Sequence, residues 1–102
     1  MVFTEQQRGF LKRDLVECLR QEKEIIKIIV FGSFLRSPNP NDMDVAVFQD
    51  SNENYLGLAM KYRRKTRPIS RKIPLDIIPL KAGVQGGSFM AQIAEGEVIY
   101  ER

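Results

Sequence analysis

The sequence predicts a single α/β (α+β) domain, residues 1–102, built on a small mixed sheet of about four strands packed against helices. Three observations lead there. Runs with helical periodicity alternate with short β-branched runs in the order α-β-β-α-β-α-β. The first two strands are separated by about 11 residues, enough for a helical turn and a loop. At 102 residues the chain can enclose one core of ordinary size but not two. A composition 43% hydrophobic and 28% charged is that of a folded globular domain.

The elements follow in order. Thr4 and Gln7 have capping-box spacing, and Leu11, Leu15, Cys18 and Leu19 repeat at helical intervals, which predicts a helix from residue 5 to about 23. Ile25 to Phe31 is β-branched and aromatic with only Lys27 interrupting, the pattern of a central strand covered on both faces. Met43 to Phe48 is the second strand. Asn52 to about Arg67 is the second long helix, with Leu56, Ala59, Met60 and Arg63 along one side and Pro68 to stop or bend it. Ile73 to Pro79 is a third strand, and its prolines, Pro74 and Pro79, suit a short or edge position. After a loop with Gly83, Gly86 and Gly87, Ser88 can cap a short helix carrying Phe89, Met90 and Ile93. Gly96 then fits just past that helix, before a last strand, Val98 to Tyr100.

What the chain lacks narrows its chemistry. It has no histidine, and Cys18 is its one cysteine, so an internal disulfide, a Ser-His-Asp triad, a Cys-His pair and a His/Cys zinc site are all excluded. The N-terminal stretch is polar, without an apolar signal core, and no run approaches the roughly 20 apolar residues of a membrane span. A cytoplasmic protein without a membrane role is expected.

Asp42 and Asp44 stand where an apolar strand begins. Residues i and i+2 of a strand share a face about 6.5 Å apart, so these carboxylates project together while Met43, Val45 and Val47 point the other way. At an effective dielectric near 20 they repel by roughly 2–3 kcal/mol, and a divalent cation between them reverses that sign. An all-oxygen site of this kind suits Mg2+ or Mn2+ completed by substrate phosphates. Asp76, in a third apolar segment, joins the same site if its strand is a neighbour. Read alone, Asp42 also fits a helix cap or an Asx turn after Asn41. Gly32 allows close approach of the backbone, and Ser33 with the following amides offers donors to a phosphate. Arg36 is a further phosphate contact or a solvated cation.

Gly32-Ser33, eight intervening residues, then Asp42-x-Asp44 between two apolar strands, with Asp76 downstream, resembles the minimal nucleotidyltransferase family of the DNA polymerase β-like superfamily. The segment from Met90 to Arg102 is similar to that family's closing helix and strand. The resemblance implies a nucleotidyltransferase-like fold with Gly32 and Ser33 on the nucleotide triphosphate. It implies two divalent ions on Asp42, Asp44 and Asp76, and transfer of a nucleoside monophosphate, AMP from ATP, to a hydroxyl with loss of pyrophosphate. Short members of the family accompany a helical HEPN ribonuclease toxin as its antitoxin and modify a tyrosine, so the resemblance also implies a HEPN-type partner. Two departures are visible: the family's loop is commonly a residue or two longer, and it often reads Arg-Gly where this chain has Arg36-Ser37. They leave a catalytically inactive nucleotide-binding or partner-binding module as the alternative.

The net charge is +3, and Lys61, Arg63, Arg64, Lys65, Arg67, Arg71 and Lys72 put seven positive charges into 12 residues without an acid. With only Tyr62 interleaved, the run reads as a solvated helix face near the site, drawing in an anionic nucleotide and an acidic partner, rather than as a nucleic-acid surface. Arg63 is the one whose stem is expected toward the core. Gly86 and Gly87, with no Lys-Ser/Thr after them, are a turn and not a phosphate loop. The sequence leaves a homo-oligomer open.

Overall fold

In a computed structural model, which describes residues 2–102, the chain forms nine elements in a mixed α/β arrangement. They are α1 (Glu5–Leu19), β1 (Ile25–Phe31), α2 (Ser33–Arg36), β2 (Met43–Gln49), α3 (Tyr55–Lys65), α4 (Arg67–Ser70), β3 (Leu75–Lys81), α5 (Gly87–Ala94) and β4 (Glu97–Glu101). The sheet has four strands in the order β3-β2-β1-β4. β1 runs antiparallel to β2 and β4, while β2 and β3 are parallel and joined through α3 and α4. No helix among the described residues is long and apolar enough to cross a membrane.

Alternation along the strands gives the sheet two different faces. Ile28, Val30, Met43, Val45, Val47 and Ile77 pack against Leu11, Leu15 and Leu19 of α1, Leu58 and Tyr62 of α3 and Ile69 of α4. Ile29, Phe31, Ala46 and Phe48 form a smaller cluster on the opposite face, closed by Ile93 of α5. β1 is therefore central and covered on both sides, as its apolar run, interrupted only by Lys27, predicts. Gly96 follows α5 because a Cβ there would stand 2.5 Å from the Val30 carbonyl oxygen and 2.7 Å from Ile29 Cγ2.

Several boundaries differ from the sequence reading, each for a local reason. The capping box of Thr4 and Gln7 forms, but α1 ends at Leu19 rather than near residue 23. Beyond Leu19 its inner stripe would fall on Glu22 and Lys23, and two turns, Glu22 N–H to Leu19 O and Ile25 N–H to Glu22 O, redirect the chain into β1. α3 begins at Tyr55, where the Asn54 side chain accepts from the Gly57 amide at 2.8 Å. Its buried face is Leu58, Ala59 and Tyr62; of the expected stripe Leu56, Ala59, Met60 and Arg63, Ala59 alone is buried and the other three are exposed. The stripe that wins extends through Thr66 to Ile69 without placing a charge in the core, whereas the other ends on Arg63. Thr66 closes α3, and Pro68 stands in the first turn of α4. β3 is shifted two residues toward the C-terminus, with Pro79 inside it. As an edge strand, β3 has one free side on which a missing N–H costs no ladder bond. Gly86, at φ 87°, occupies the cap position of α5 that Ser88 was expected to fill.

Candidate active site

The acidic residues and the glycine turn meet at one end of the sheet. Because β1 and β2 are antiparallel, the exit of β1 lies beside the entry of β2, and Phe31 pairs with Asp44. Because β2 and β3 are parallel, their entries are level, and Asp44 pairs with Asp76. Asp42 sits one residue ahead of β2. By strand alternation Asp44 shares the face of Ala46 and Phe48, and Asp76 that of Ile78 and Leu80. This is the face covered only by α5. Asp42 and Asp44 are half-buried; Asp76 is exposed, although its apolar neighbours suggested burial.

Gly32 and Asp44 fit each other closely. Gly32 has φ +79°, and a Cβ built on it would lie 2.6 Å from Asp44 Oδ2, so the carboxylate rests directly against the glycine backbone. Any side chain at position 32 would be strained in its backbone and would displace Asp44 as well. Ser33, exposed, opens the single turn α2. Arg36, at the end of that turn, is engaged by Glu95 at 2.6 Å beyond α5.

The electrostatics record the convergence. Partial burial raises the pKa of Asp44 above the usual carboxylate value, and repulsion from Asp42 and Asp76 raises it further. Both neighbouring acids thus act on Asp44 at the end of the sheet. As their side chains stand, however, no three acids among the described residues form a closed ligand set. The donor chemistry fits a hard divalent cation: all oxygen, three carboxylates on one face, mutual repulsion that a cation would relieve, and an open side for phosphate oxygens.

The helices of the basic run, α3 and α4, pack on the opposite face of the sheet, while Arg71 and Lys72 stand in the segment that leads into β3 and Asp76. Acids distant in sequence also neutralise part of the run. Lys61 pairs with Glu24 at 2.9 Å and with Glu22 and Glu53 at 3.3 Å, Lys65 with Glu22 at 3.1 Å, and Lys72 with Asp14 at 3.8 Å. Tyr62, fully buried, donates its hydroxyl to Glu24 at 2.9 Å.

One residue at the site escaped the sequence reading. Arg8, buried, donates through Nη1 to the Phe34 carbonyl and through Nη2 to the Ser37 carbonyl, so α1 grips the loop that follows Gly32. A signal was present: Arg8 continues the stripe of Leu11, Leu15 and Leu19 backward, and a cation on a core-facing stripe demands partners.

Comparison with known proteins bears on the family and the fold. The family model described as polymerase beta, nucleotidyltransferase, matches residues 13–102. No protein of curated function matches the sequence. Among solved structures, a chain from the complex of a tri-AMPylated Shewanella oneidensis HEPN toxin with an MNT antitoxin superposes with a TM-score of 0.60 at 17% identity, over 93% of this chain and 73% of that one. A chain of the toxin–antitoxin complex MntA-HepT gives 0.60 at 12% identity, over 92% and 73%. A Sulfolobus solfataricus protein assigned as a nucleotidyltransferase gives 0.55 at 17% identity, over 95% and 82%. At these identities the superpositions establish the fold.

Proposed function

The chain belongs to the polymerase beta nucleotidyltransferase family, and from that premise we propose that it is a cytoplasmic enzyme moving AMP from ATP to a hydroxyl of a protein partner. Asp42, Asp44 and Asp76 hold Mg2+ or Mn2+ in this reading, and Gly32, Ser33 and Arg36 bind the triphosphate. The observation that carries it is the junction of Asp44 with both other parts: level with Asp76 across the parallel pair, and lying against Gly32. A divalent ion held there supplies charge neutralisation for the triphosphate. The chain's own residues do the rest. Gly32 leaves its backbone bare to the phosphates, and the Ser33 hydroxyl, exposed beside it, donates to them. Arg36 exchanges Glu95 for a phosphate oxygen. Asp76, the most accessible of the three acids, accepts the proton of the attacking hydroxyl as its oxygen bonds to the α-phosphorus and pyrophosphate leaves.

The acceptor is assigned to a HEPN-type helical partner, with this chain as its antitoxin, because two structures of similar fold come from such complexes and the toxin in one is tri-AMPylated. A second reading, a partner-binding module without transfer, is favoured by the Arg36–Glu95 pair, which already occupies the one cation of the loop's outer side. Incubating the protein with labelled ATP, Mg2+ and the product of the neighbouring gene separates the two. Wild type is expected to label the partner and Asp44→Asn to leave it unlabelled; equal labelling by both sinks the enzymatic reading.

A further inference from the structure

The inner side of the loop from Phe34 to Asn41 is fixed by the start of α1. The Arg8 guanidinium donates to the carbonyls of Phe34 and Ser37 and lies 5.0 Å from the centroid of the Phe34 ring. Phe3 adds a tilted ring contact to Phe34 at 6.4 Å, and its amide donates to the Pro38 carbonyl at 3.4 Å. Arg8 is a buried cation that pairs with no carboxylate among the described residues; its two carbonyls and the ring are its recorded partners. The carbonyls are those a one-turn helix leaves without an intrahelical donor. The residue precedes the segment matched by the family model, residues 13–102.

We infer that Arg8 is a positioning residue for nucleotide transfer: by forking onto Phe34 and Ser37 it fixes the conformation of the turn that begins at Gly32 and Ser33. The guanidinium suits this because it is planar, permanently charged and able to serve two acceptors at once, whereas a lysine reaches one with a point charge. The inference rests on the reading of Gly32 and Ser33 as the phosphate turn. It adds that α1, far from those residues in sequence, sets their geometry.

Arg8→Lys and Arg8→Ala are tested in the full chain with its helical partner, measuring KM and kcat for ATP, the thermal midpoint and amide exchange from Leu35 to Ser37. Both variants are expected to raise KM for ATP at least tenfold while kcat falls less than threefold, with faster exchange at the loop and unchanged exchange in α3. If Arg8→Ala does not fold, Arg8→Lys, which keeps the stem and the charge, decides. A lowered midpoint with unchanged KM, or an Arg8→Lys protein equal to wild type in KM and loop exchange, overturns the inference while leaving the enzyme reading intact. Wild type that neither binds ATP nor transfers AMP overturns both.

Discussion

The two faces of the sheet are built by opposite rules. On one, α1, α3 and α4 cover Ile28, Val30, Met43, Val45, Val47 and Ile77 in the larger of the two apolar clusters. On the other, an eight-residue helix covers a smaller patch, and the uncovered end of the same strands carries Asp44 and Asp76. One strand serves both: Val45 and Val47 anchor β2 in the core while Asp44 faces out, repelled by Asp42 and Asp76. Stability is concentrated on the first face, and the second holds like charges that oppose folding until something cationic meets them.

That division predicts separable effects. The largest belongs to the covered face. Leu15 is fully buried, and Leu15→Ala is expected to cost about 2–5 kcal/mol by denaturant unfolding, with ATP affinity per folded molecule unchanged. A loss of affinity in the folded fraction would show that the faces are not independent. Next is Gly32→Ala, on the open face. The positive φ costs about 1–3 kcal/mol in a residue with a side chain, and the new methyl must displace the Asp44 carboxylate. ATP affinity is expected to fall by on the order of 10²-fold, out of proportion to the stability lost.

The smallest effect carries the opposite sign. The raised pKa of Asp44 means that the folded chain holds this proton more tightly than the unfolded chain does. Stability from that group is therefore complete below the ordinary carboxylate range and declines as pH rises from there through the raised value. Without metal, Asp44→Asn is expected to raise the thermal midpoint by a few degrees at neutral pH and to leave it unchanged in strong acid. A variant less stable than wild type at neutral pH would mean that Asp44 is a structural partner, not a strained one.

Much of this plan was legible in the residues themselves. The apolar run Ile25–Phe31, interrupted only by Lys27, announced a central strand, and the spacing from Gly32-Ser33 to Asp42 and Asp44 located the turn and the acids. The pairing of Asp76 with Asp44 was not legible, because strand order is a non-local property; it entered as a condition that the parallel β2–β3 ladder meets. The face of α3 was misread because Leu56 and Met60 compete with Leu58 and Tyr62 for burial, and the Glu24 acceptor that lets the Tyr62 hydroxyl be buried is distant in sequence. The basic run lacked acids nearby in sequence, yet Glu22, Glu24 and Glu53 reach Lys61 through the fold. Arg8 was marked only by its place on the core-facing stripe of α1; its acceptors, two main-chain carbonyls distant in sequence, were not legible.

The central claim is that Asp44 and Asp76 form one metal-dependent nucleotide site with the Gly32 turn. Calorimetric titration of ATP into wild type, Asp44→Asn and Asp76→Asn, each with Mg2+ and with chelator, tests it most directly. Saturable binding by wild type only in the presence of Mg2+, and its loss in both variants, is the expected result; binding of equal strength in chelator, or in both variants, would contradict it.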